Sequence, residues 1–503
     1  MKSIFEYVER SYKRFPDKTA FVDADASITY SELYNYSRSI ATAVGRLGTR
    51  NCPVAIYIDK SVKVPSAMFG IACSNNFYIV VDTEMPKERV EKIFETLSPV
   101  AIVTDEAHLE KARELGVESV IIYEDAISKP ADDELLAKIY DRMIDTDPLY
   151  ALFTSGSTGM PKGAIINHRN VLSYSAWFVK AFDITEDTVF GNQTPFYFSM
   201  SVSDVFATIN AGATLCIVPK VYFAFPIKLI GFLNEQKINT IYWVPSAISI
   251  VANMQLFKYA KPEYLKKVLF AGEVMPTKQL NYWIENLPED TMFANLYGPT
   301  ETTDICTYYV VDRKFENGES LPIGKHCDNC DVMIVKEDNT LAKVGEEGEL
   351  YVRGSFLFLG YYNNEEKTSA ALVQNPLHNY YPELVYKTGD LVKENERGEI
   401  LYITRKDFQI KRMGYRVELG EIEAAASGID KIEESVCVFD KKKDQIILVY
   451  QAKKLDEVEI INALKGKIPA YMMPDRYEKV KLMPHNQNGK IDRKLLENDL
   501  CEK

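Results

Sequence analysis

A loop in the first third of the chain has the sequence Leu152-Phe153-Thr154-Ser155-Gly156-Ser157-Thr158-Gly159-Met160-Pro161-Lys162-Gly163. The apolar run 149–153 predicts a buried strand before it, and the apolar run 164–166 predicts a second strand after it. Between the strands, the loop offers backbone N–H groups, hydroxyls and one ammonium group. Its glycines permit positive φ angles and a close approach of the backbone to a ligand. The segment therefore predicts a loop that binds the phosphates of a polyanion.

The spacing of this loop differs from that of a Walker P-loop, which requires G-x-x-x-x-G-K-[ST]. Here Gly156 and Gly159 are separated by only two residues, and Gly163 rather than Ser or Thr follows Lys162. The simplest alternative is a flexible surface loop without a ligand. The motifs downstream decide between the two interpretations.

Composition limits the class of protein. A chain of 503 residues is too long for one compact core, so we expect at least two domains. A hydrophobic content of 46% and a charged content of 26% are typical of a globular protein. The net charge of −13 argues against a general nucleic-acid binder, which would carry a basic surface. It leaves room for a local basic site that binds nucleotide phosphates.

The sequence predicts a cytoplasmic protein without stable membrane insertion. It has no apolar run of ~18 residues, and the amphipathic N-terminus 1–10 lacks the apolar core of a signal peptide. Eight scattered cysteines are typical of a reducing compartment. Cys327 and Cys330 form a C-x-x-C pair, but no second Cys/His pair lies at the spacing of a zinc site, so we interpret them as incidental thiols.

The predicted secondary structure changes along the chain. Short β-branched runs alternate with helical patterns in the first half, which indicates parallel sheets covered by helices. After residue 340, alternating strands bounded by glycine indicate antiparallel pairing and a β-barrel-like subdomain. The last ~95 residues have the pattern of a small α+β domain. We therefore expect an α/β fold with a large N-terminal domain, 1–404, and a small C-terminal domain, 405–503.

Four further segments carry functional groups that suit a nucleotide. They are Ala271-Gly272-Glu273, Leu296-Tyr297-Gly298-Pro299-Thr300-Glu301-Thr302-Thr303, Tyr386-Lys387-Thr388-Gly389-Asp390-Leu391 and Asn488-Gly489-Lys490-Ile491-Asp492-Arg493. With the phosphate loop, they supply aromatic rings, hydroxyls, carboxylates and three lysines in a fixed chain order.

These motifs, in this order, resemble those of the adenylate-forming superfamily: acyl-CoA synthetases, luciferases and the adenylation domains that load carrier proteins. The resemblance extends over essentially the whole chain. Within the superfamily, the sequence looks most like the stand-alone D-alanine–carrier protein ligases. The shared features are the overall length, the segments 272–276, 407–411, 414–416 and 421–423, and Glu418. The resemblance implies a mobile C-terminal domain, with ATP and Mg²⁺ bound by the large domain.

The resemblance implies a role for each matching residue. Thr154, Ser155, Gly156, Ser157, Thr158, Gly159 and Lys162 would hold the β- and γ-phosphates of ATP. Gly272, Glu273, Tyr297 and Gly298 would surround adenine, with Tyr297 stacked on the base. Thr300 would contact the α-phosphate, Glu301 would hold Mg²⁺, Asp390 would bind the ribose hydroxyls, and Arg405 would lie over ribose and phosphate. Thr404 stands where the family usually has glycine, and we expect little effect from this difference.

The resemblance also assigns the groups that would act in catalysis and domain motion. Lys490 would be the catalytic lysine, since a fixed cation can bridge the substrate carboxylate and the α-phosphate. Asp407 would be the hinge between the domains, and Gly414 would border the tunnel for a phosphopantetheine thiol. The chain ends at Lys503, soon after the lysine motif, so we expect the acceptor to be a separate carrier protein or coenzyme A.

The predicted acyl pocket contains the largest departure from the family. Members that activate amino acids usually carry Phe-Asp-x-Ser, whose aspartate binds the α-ammonium group; here Ser199 occupies that position. Asp304 also falls at a pocket position and could supply the missing carboxylate, whereas Asp204 is interpreted as structural. The remaining predicted pocket residues are Met200, Ser203, Tyr242, Leu269, Ala271, Leu296 and Ile305. The bulk of Tyr242 and Leu296 favours a small acyl group.

Several functions fit this sequence. The leading hypothesis is a ligase that adenylates a small amino or related carboxylic acid and loads a separate carrier protein, with D-alanine the best guess. The alternative is an acyl- or aryl-CoA ligase whose substrate has no α-amino group. A catalytically silent nucleotide-binding scaffold would lack catalytic groups, yet Lys162, Glu301, Asp390 and Lys490 are all present.

Overall fold

The computed structural model describes residues 1–154, 161–406, 409–429, 431–453, 455–485 and 491–501. The α-helices within these ranges are α1 (Phe5–Arg14), α2 (Tyr30–Gly45), α3 (Lys63–Cys73), α4 (Lys87–Leu97), α5 (Leu109–Arg113), α6 (Tyr123–Ile127), α7 (Asp133–Arg142), α8 (His168–Ala181), α9 (Met200–Ala211), α10 (Pro226–Glu235), α11 (Pro245–Asn253), α12 (Thr277–Asn286), α13 (Glu365–Ala371), α14 (Leu419–Ser427), α15 (Glu457–Lys465) and α16 (Arg493–Cys501).

The strands of the described ranges are β1 (Thr19–Val22), β2 (Ser27–Thr29), β3 (Pro53–Tyr57), β4 (Phe77–Val80), β5 (Ala101–Thr104), β6 (Val120–Ile122), β7 (Pro148–Thr154), β8 (Lys162–Asn167), β9 (Val189–Asn192), β10 (Thr214–Ile217), β11 (Thr240–Trp243), β12 (Lys267–Ala271), β13 (Met292–Tyr297), β14 (Thr307–Val310), β15 (Lys325–His326), β16 (Cys330–Val335), β17 (Glu347–Gly354), β18 (Gly360–Tyr361), β19 (Leu372–Gln374), β20 (Leu384–Glu394), β21 (Ile400–Arg405), β22 (Gln409–Arg412), β23 (Tyr415–Glu418), β24 (Ile432–Asp440), β25 (Gln445–Ala452) and β26 (Arg476–Val480).

Residue contacts divide the chain into two compact units. The first comprises residues 1–83, 97–152 and 163–406, and the second comprises residues 84–96, 153–162 and 407–503. The second unit thus includes two segments from within the first 404 residues, and the boundary expected from the sequence stays a prediction. Among the described residues, no helix is both long and apolar enough to cross a lipid bilayer.

Two mixed sheets form the body of the first unit. The larger has the strand order β15-β14-β13-β12-β11-β9-β10-β1-β2, and the smaller has the order β18-β8-β7-β4-β3-β5-β6. Their central strands run parallel and are buried along their whole length, as in β3, β5 and β11. Strands buried on both faces become continuous apolar runs, which is why the first half of the sequence shows them.

An antiparallel sheet completes the first unit, with the order β16-β17-β20-β19 and β21 added on β20. The change to antiparallel pairing after residue 340 is therefore confirmed, as is the α/β fold class. The second unit contains the hairpin β22-β23 and the three-stranded sheet β24-β25-β26, with α14 packed on β24.

The strands that position the site are β9, β11, β12 and β13, which are parallel neighbours. Their carboxyl ends all lie at one edge of the larger sheet, where open α/β sheets bind ligands. Helix α8 begins with a capping box in which Asn167 and Asn170 exchange side-chain and backbone hydrogen bonds. Helix α9 ends at Gly212, whose φ of 78° suits the left-handed C-terminal cap.

Candidate active site

Three residues predicted to hold the nucleoside meet around the carboxylate of Asp390. The Tyr297 hydroxyl, at the end of β13, donates a hydrogen bond to Oδ2 of Asp390. Nη1 of Arg405 donates to Oδ1 at 3.0 Å, because the register of β20 and β21 sets Asp390 opposite Arg405. The side chains of Asp390 and Arg405 are only 3% and 9% exposed. The structure therefore joins a predicted adenine contact to both predicted ribose contacts.

Burial keeps the Tyr297 hydroxyl in its protonated, hydrogen-bond-donating form. Desolvation raises the pKa of Tyr297 well above its ordinary value, and the Asp390 carboxylate beside it raises the pKa further. A buried ion pair such as Asp390–Arg405 must have its remaining hydrogen-bonding capacity satisfied to be tolerated. Tyr297 satisfies part of it.

The segment after β12 lies beside the end of β13, since the two strands pair from Lys267–Met292 to Ala271–Leu296. Gly272 follows β12 with φ of 94°, a conformation that a residue with a Cβ adopts only with strain. The next residue, Glu273, accepts a 2.8 Å hydrogen bond from the backbone N–H of Ser246. Gly272 and Glu273 thus occupy the same sheet edge as Tyr297.

A tight turn carries the chain from Tyr297 to Asp304. A Cβ on Gly298 would lie 2.2 Å from the carbonyl oxygen of Asp304, so only glycine fits there. The 3₁₀ turn Thr300–Thr302 follows, and then Thr303 has φ 72° and ψ −52°. The N–H of Asp304 donates to the carbonyl of Thr302 at 2.8 Å, which makes this a γ-turn of the rare, strained form. Strain at a β-branched residue, about 1–3 kcal/mol, is a feature of functional sites.

Glu301, the predicted Mg²⁺ ligand, is fully buried within this turn. Its Oε1 accepts a 2.5 Å hydrogen bond from the Tyr361 hydroxyl, and its carbonyl accepts one from the N–H of Phe358. Thr300, the predicted α-phosphate contact, is 9% exposed. Within the described residues, no three His, Cys, Asp or Glu side chains are grouped as a metal site. Mg²⁺ bound with a nucleotide needs only one or two protein carboxylates, so Glu301 is compatible with it.

Four predicted acyl-pocket residues share one face of the larger sheet. Tyr242 pairs with Leu269 between β11 and β12, and Ala271 pairs with Leu296 between β12 and β13. Because Leu269 and Ala271 are two residues apart on one strand, their side chains point to the same side. Asn192 on β9 pairs with Tyr242 and joins this face.

The carboxylate of Asp304 lies at the centre of a buried hydroxyl cluster. Its Oδ2 accepts hydrogen bonds from Ser203 Oγ at 2.5 Å and from the hydroxyls of Tyr174 and Tyr242 at 3.1 Å each. Tyr174 and Ser203 are also 2.6 Å apart. Burial raises the pKa of Asp304 to about 7, although the three hydroxyls lower it. The structure therefore brings together three residues that the sequence predicted for the pocket, and adds Tyr174 from α8.

Three other predicted pocket residues lie next to members of this cluster, or a few positions from them, in the sequence. Ser199 directly precedes α9, is partly exposed, and its side chain makes no capping hydrogen bond. Met200 is the first residue of α9 and is 6% exposed, and Ile305 follows Asp304 and is 1% exposed.

Asp204, interpreted from the sequence as structural, belongs to a second polar group beneath α9. Its Oδ2 accepts a 2.7 Å hydrogen bond from Asn192 Nδ2. Burial raises the pKa of Asp204, and the positive charge of Lys60 opposes this shift. Lys60 Nζ donates to the carbonyl of Gln193 at 3.0 Å. Asp204 therefore has a cationic neighbour, whereas Asp304 has none among the described residues.

Sequence reasoning missed Lys60, Tyr174, Asn192 and Tyr361. Asn192 carried a usable signal, because it is the polar residue that ends an apolar strand at the ligand-binding edge. Tyr174 and Tyr361 carried none, since an aromatic residue in an apolar helix or a two-residue strand is indistinguishable from core.

Several predicted residues lie outside the described part of the chain: Ser155, Gly156, Ser157, Thr158, Gly159, Asp407 and Lys490. Thr154, which ends β7, has a buried Oγ1 without a hydrogen-bond partner among the described residues. An unpartnered hydroxyl is what a phosphate-binding loop would present before its ligand arrives. Lys162 begins β8. Gly414 has φ 79° in the two-residue turn between β22 and β23, which also contains Met413 at φ 50°.

Comparison with known proteins places this chain among nucleotide-dependent enzymes. The profile of the family described as AMP-binding enzyme matches residues 8–362. The chain is 31% identical to the D-alanine--D-alanyl carrier protein ligase of Bacillus cytotoxicus, over 98% of both proteins. It is 29% identical to tyrocidine synthase 1 of Brevibacillus parabrevis over 98% of its own length, but spans only 45% of that longer protein.

A solved structure shows the same fold. The adenylation domain AlmE of Vibrio cholerae, in complex with glycyl-adenosine-5'-phosphate, superposes with a TM-score of 0.85 at 22% identity, covering 99% of this chain and 98% of AlmE. The family match extends over far more than half of the chain, and the full-length relatives share its length. The chain belongs to the AMP-binding enzyme family and is an ATP-dependent, adenylate-forming ligase that activates a carboxylic acid.

Proposed function

We propose that this ligase activates a small amino acid and transfers it to the phosphopantetheine thiol of a separate carrier protein. The observation that carries the proposal is the full-length similarity to a D-alanine--D-alanyl carrier protein ligase, combined with the buried hydroxyl cluster around Asp304 among the predicted acyl-pocket residues. D-alanine is the first candidate substrate that this similarity suggests. The compartment that fits an ATP-dependent reaction of this kind is the cytoplasm.

The first half-reaction joins the substrate carboxylate to AMP. A carboxylate oxygen attacks the α-phosphorus of ATP, the bond from that phosphorus to the bridging oxygen breaks, and pyrophosphate leaves. Tyr297, Asp390 and Arg405 would hold the nucleoside, Thr300 would contact the α-phosphate, and Thr154 to Lys162 would hold the β- and γ-phosphates. Lys490 would place its charge between the carboxylate and the α-phosphate, where negative charge accumulates.

Mg²⁺ would supply further positive charge to the phosphates, with Glu301 as its protein ligand. Glu301 suits this role because its carboxylate is buried and oriented by the Tyr361 hydroxyl. A ligand held in one orientation by a second residue binds a metal without the entropic cost of ordering it.

The second half-reaction transfers the acyl group from AMP to a thiol. The thiolate attacks the acyl carbonyl, the bond to the phosphate oxygen of AMP breaks, and a thioester forms. We propose that Asp407 serves as a hinge in the division between residues 1–404 and 405–503, and that Gly414 borders the path of the thiol. The positive φ angles at Met413 and Gly414 keep that turn narrow.

A second function has one specific observation in its favour. Ser199 replaces the usual ammonium-binding aspartate, which would suit an acyl- or aryl-CoA ligase for an acid without an α-amino group. In that case coenzyme A would replace the carrier protein as acceptor.

Two assays test the proposal. Acid-dependent ATP–pyrophosphate exchange with D-alanine, L-alanine, glycine, β-alanine, lactate, short fatty acids and benzoates shows which class of acid is activated. Mass spectrometry of a phosphopantetheinylated carrier protein, against free coenzyme A, shows which thiol is loaded. Exchange with amino acids and loading of the carrier support the proposal. Exchange with benzoates or fatty acids only, together with loading of coenzyme A, would favour the second function.

A further inference from the structure

The carboxylate of Asp304 is buried among neutral hydrogen-bond donors. It is 1% exposed, and three hydroxyls converge on it from three different elements: Tyr174 on α8, Ser203 on α9 and Tyr242 on β11. All three hydrogen bonds end on Oδ2, and among the described residues none ends on Oδ1. One carboxylate oxygen is therefore fixed, while the other keeps its capacity to accept.

A comparison with Asp204 shows what Asp304 lacks. Both carboxylates are 1% exposed and burial raises the pKa of each to about 7, but Lys60 opposes this shift at Asp204, whereas only neutral hydroxyls oppose it at Asp304. No Lys, Arg or His of the described residues forms an ion pair with Asp304. A buried carboxylate held by neutral donors alone has no opposite charge to offset the cost of its desolvation. An ammonium group on the ligand would restore the balance.

The backbone before Asp304 is strained to hold this position. The γ-turn at Thr303 is anchored by a 2.8 Å hydrogen bond from Thr303 Oγ1 to the carbonyl of Phe356, and Gly298 allows the segment 304–306 to pass against it. A β-branched residue at φ 72° persists only where the surrounding structure fixes it. The turn at Thr303 therefore fixes the position at which the chain enters Asp304.

The position of Asp304 differs from that of Ser199. Ser199 precedes α9 and is partly exposed, whereas Asp304 lies deeper, against Tyr242 on the sheet face that also carries Leu269. The family pattern predicts that a carboxylate at position 199 binds an amine on the α-carbon. Since Asp304 is more deeply buried and lies on a different element, we expect it to bind an amine on a carbon farther from the carboxyl group.

We propose that Asp304, with Ser203, Tyr174 and Tyr242, binds the ammonium group of a short amino acid whose amine is on the β- or γ-carbon. This inference rests on the proposed function, since it names the class of acid that the adenylation site takes. The ammonium group donates one hydrogen bond to the open Oδ1 of Asp304. The bulk of Tyr242 beside the cluster limits the chain to a few carbons.

The test compares acids of matched size in ATP–pyrophosphate exchange with the full-length protein. We expect kcat/KM for β-alanine or 4-aminobutanoate to exceed that for propionate, D-alanine and L-alanine by at least about tenfold, the size of one charge-assisted hydrogen bond. Equal use of propionate and β-alanine by the wild-type protein would overturn the inference but leave the proposed function standing. A preference for D-alanine would do the same. Exchange with no acid at all would overturn both.

Two variants separate a binding role from a structural one. Asp304→Asn keeps the size of the side chain and removes its charge, so the preference for β-alanine over propionate should fall by about tenfold or more. The readout is the ratio of kcat/KM for the two acids within one protein, so a general loss of activity does not by itself change it. An unchanged preference would contradict the inference.

Ser199→Asp should instead raise kcat/KM for D-alanine, and no rise would show that Ser199 does not face the α-carbon. Because the wild-type comparison needs no variant, a variant that fails to fold leaves the inference testable.

Discussion

The hydroxyl of Tyr297 donates to the carboxylate of Asp390, although 93 residues separate the two in sequence. The contact joins the end of β13 to β20 of the antiparallel sheet. Arg405 donates a hydrogen bond to the other oxygen of the Asp390 carboxylate. The residue predicted to stack on adenine thus also orients the residue predicted to bind ribose. One buried hydrogen bond thus joins the two parts of the predicted nucleoside site.

Removing only this hydrogen bond should weaken nucleotide binding without abolishing it. In Tyr297→Phe the ring remains for stacking, but Asp390 loses a donor, so we expect the KM for ATP to rise about tenfold, the value of a hydrogen bond to a charged group. Tyr297→Ala removes the ring as well and should raise the KM much further. Steady-state exchange at saturating acid measures both. Equal effects of Phe and Ala would show that the ring contributes no stacking.

Gly298 packs so closely against Asp304 and Ile305 that adding one methyl group there should lower stability and activity. In Gly298→Ala the new Cβ would lie 2.2 Å from a carbonyl oxygen and 2.6 Å from a Cα, both backbone atoms that cannot rotate away. We expect a loss of about 1–3 kcal/mol of stability or more, with adenylation largely lost because the segment 304–306 must move.

Gly231 in α10 provides the matched control. A Cβ there meets nothing within 4 Å, and alanine is preferred to glycine in a helix by about 1 kcal/mol. Gly231→Ala should therefore leave exchange unchanged and the thermal midpoint equal or higher. If Gly298→Ala behaved in the same way as this control, the inference that only glycine fits at position 298 would be wrong.

The sequence predicted the elements that local pattern determines and missed those that tertiary contact creates. Buried parallel strands leave continuous apolar runs, and the turn 298–304 is marked by its glycine, hydroxyls and carboxylate, so both were predictable. The cluster around Asp304 unites α8, α9 and β11, and no periodicity links Tyr174 to a residue 130 positions away. Likewise, no local pattern indicates that Tyr361 orients Glu301.

A buried histidine at the start of α8 should make stability depend on pH. His168 is fully buried, its Nδ1 accepts a hydrogen bond from the N–H of Ile4 at 3.1 Å, and burial lowers its pKa to about 4. The unfolded chain binds the proton near pH 6.5, so this contribution is fully present above that pH and is lost as the pH falls towards 4. The total is roughly 3 kcal/mol.

Thermal unfolding of wild type and His168→Gln at about pH 7.5 and pH 5 measures this effect. Glutamine keeps an acceptor for the N–H of Ile4 but takes up no proton, so the midpoint of the variant should fall less between the two pH values. Other groups titrate equally in both proteins. The difference between the two proteins in how far the midpoint changes with pH therefore gives the contribution of His168. Parallel slopes would show that His168 is not protonated on unfolding.

The last prediction concerns Lys490, which lies outside the described residues and whose role comes from the resemblance alone. If its ammonium group bridges the substrate carboxylate and the α-phosphate, its interactions strengthen as charge develops in the transition state and add little to the binding of ATP itself. Lys490→Ala should therefore nearly abolish exchange while the affinity for ATP, measured by equilibrium binding, stays close to that of the wild type. Lys494→Ala, a few residues further along in α16, is the control for a general loss of positive charge and should keep its exchange rate. Exchange by Lys490→Ala at a near wild-type rate would remove Lys490 from the adenylation step.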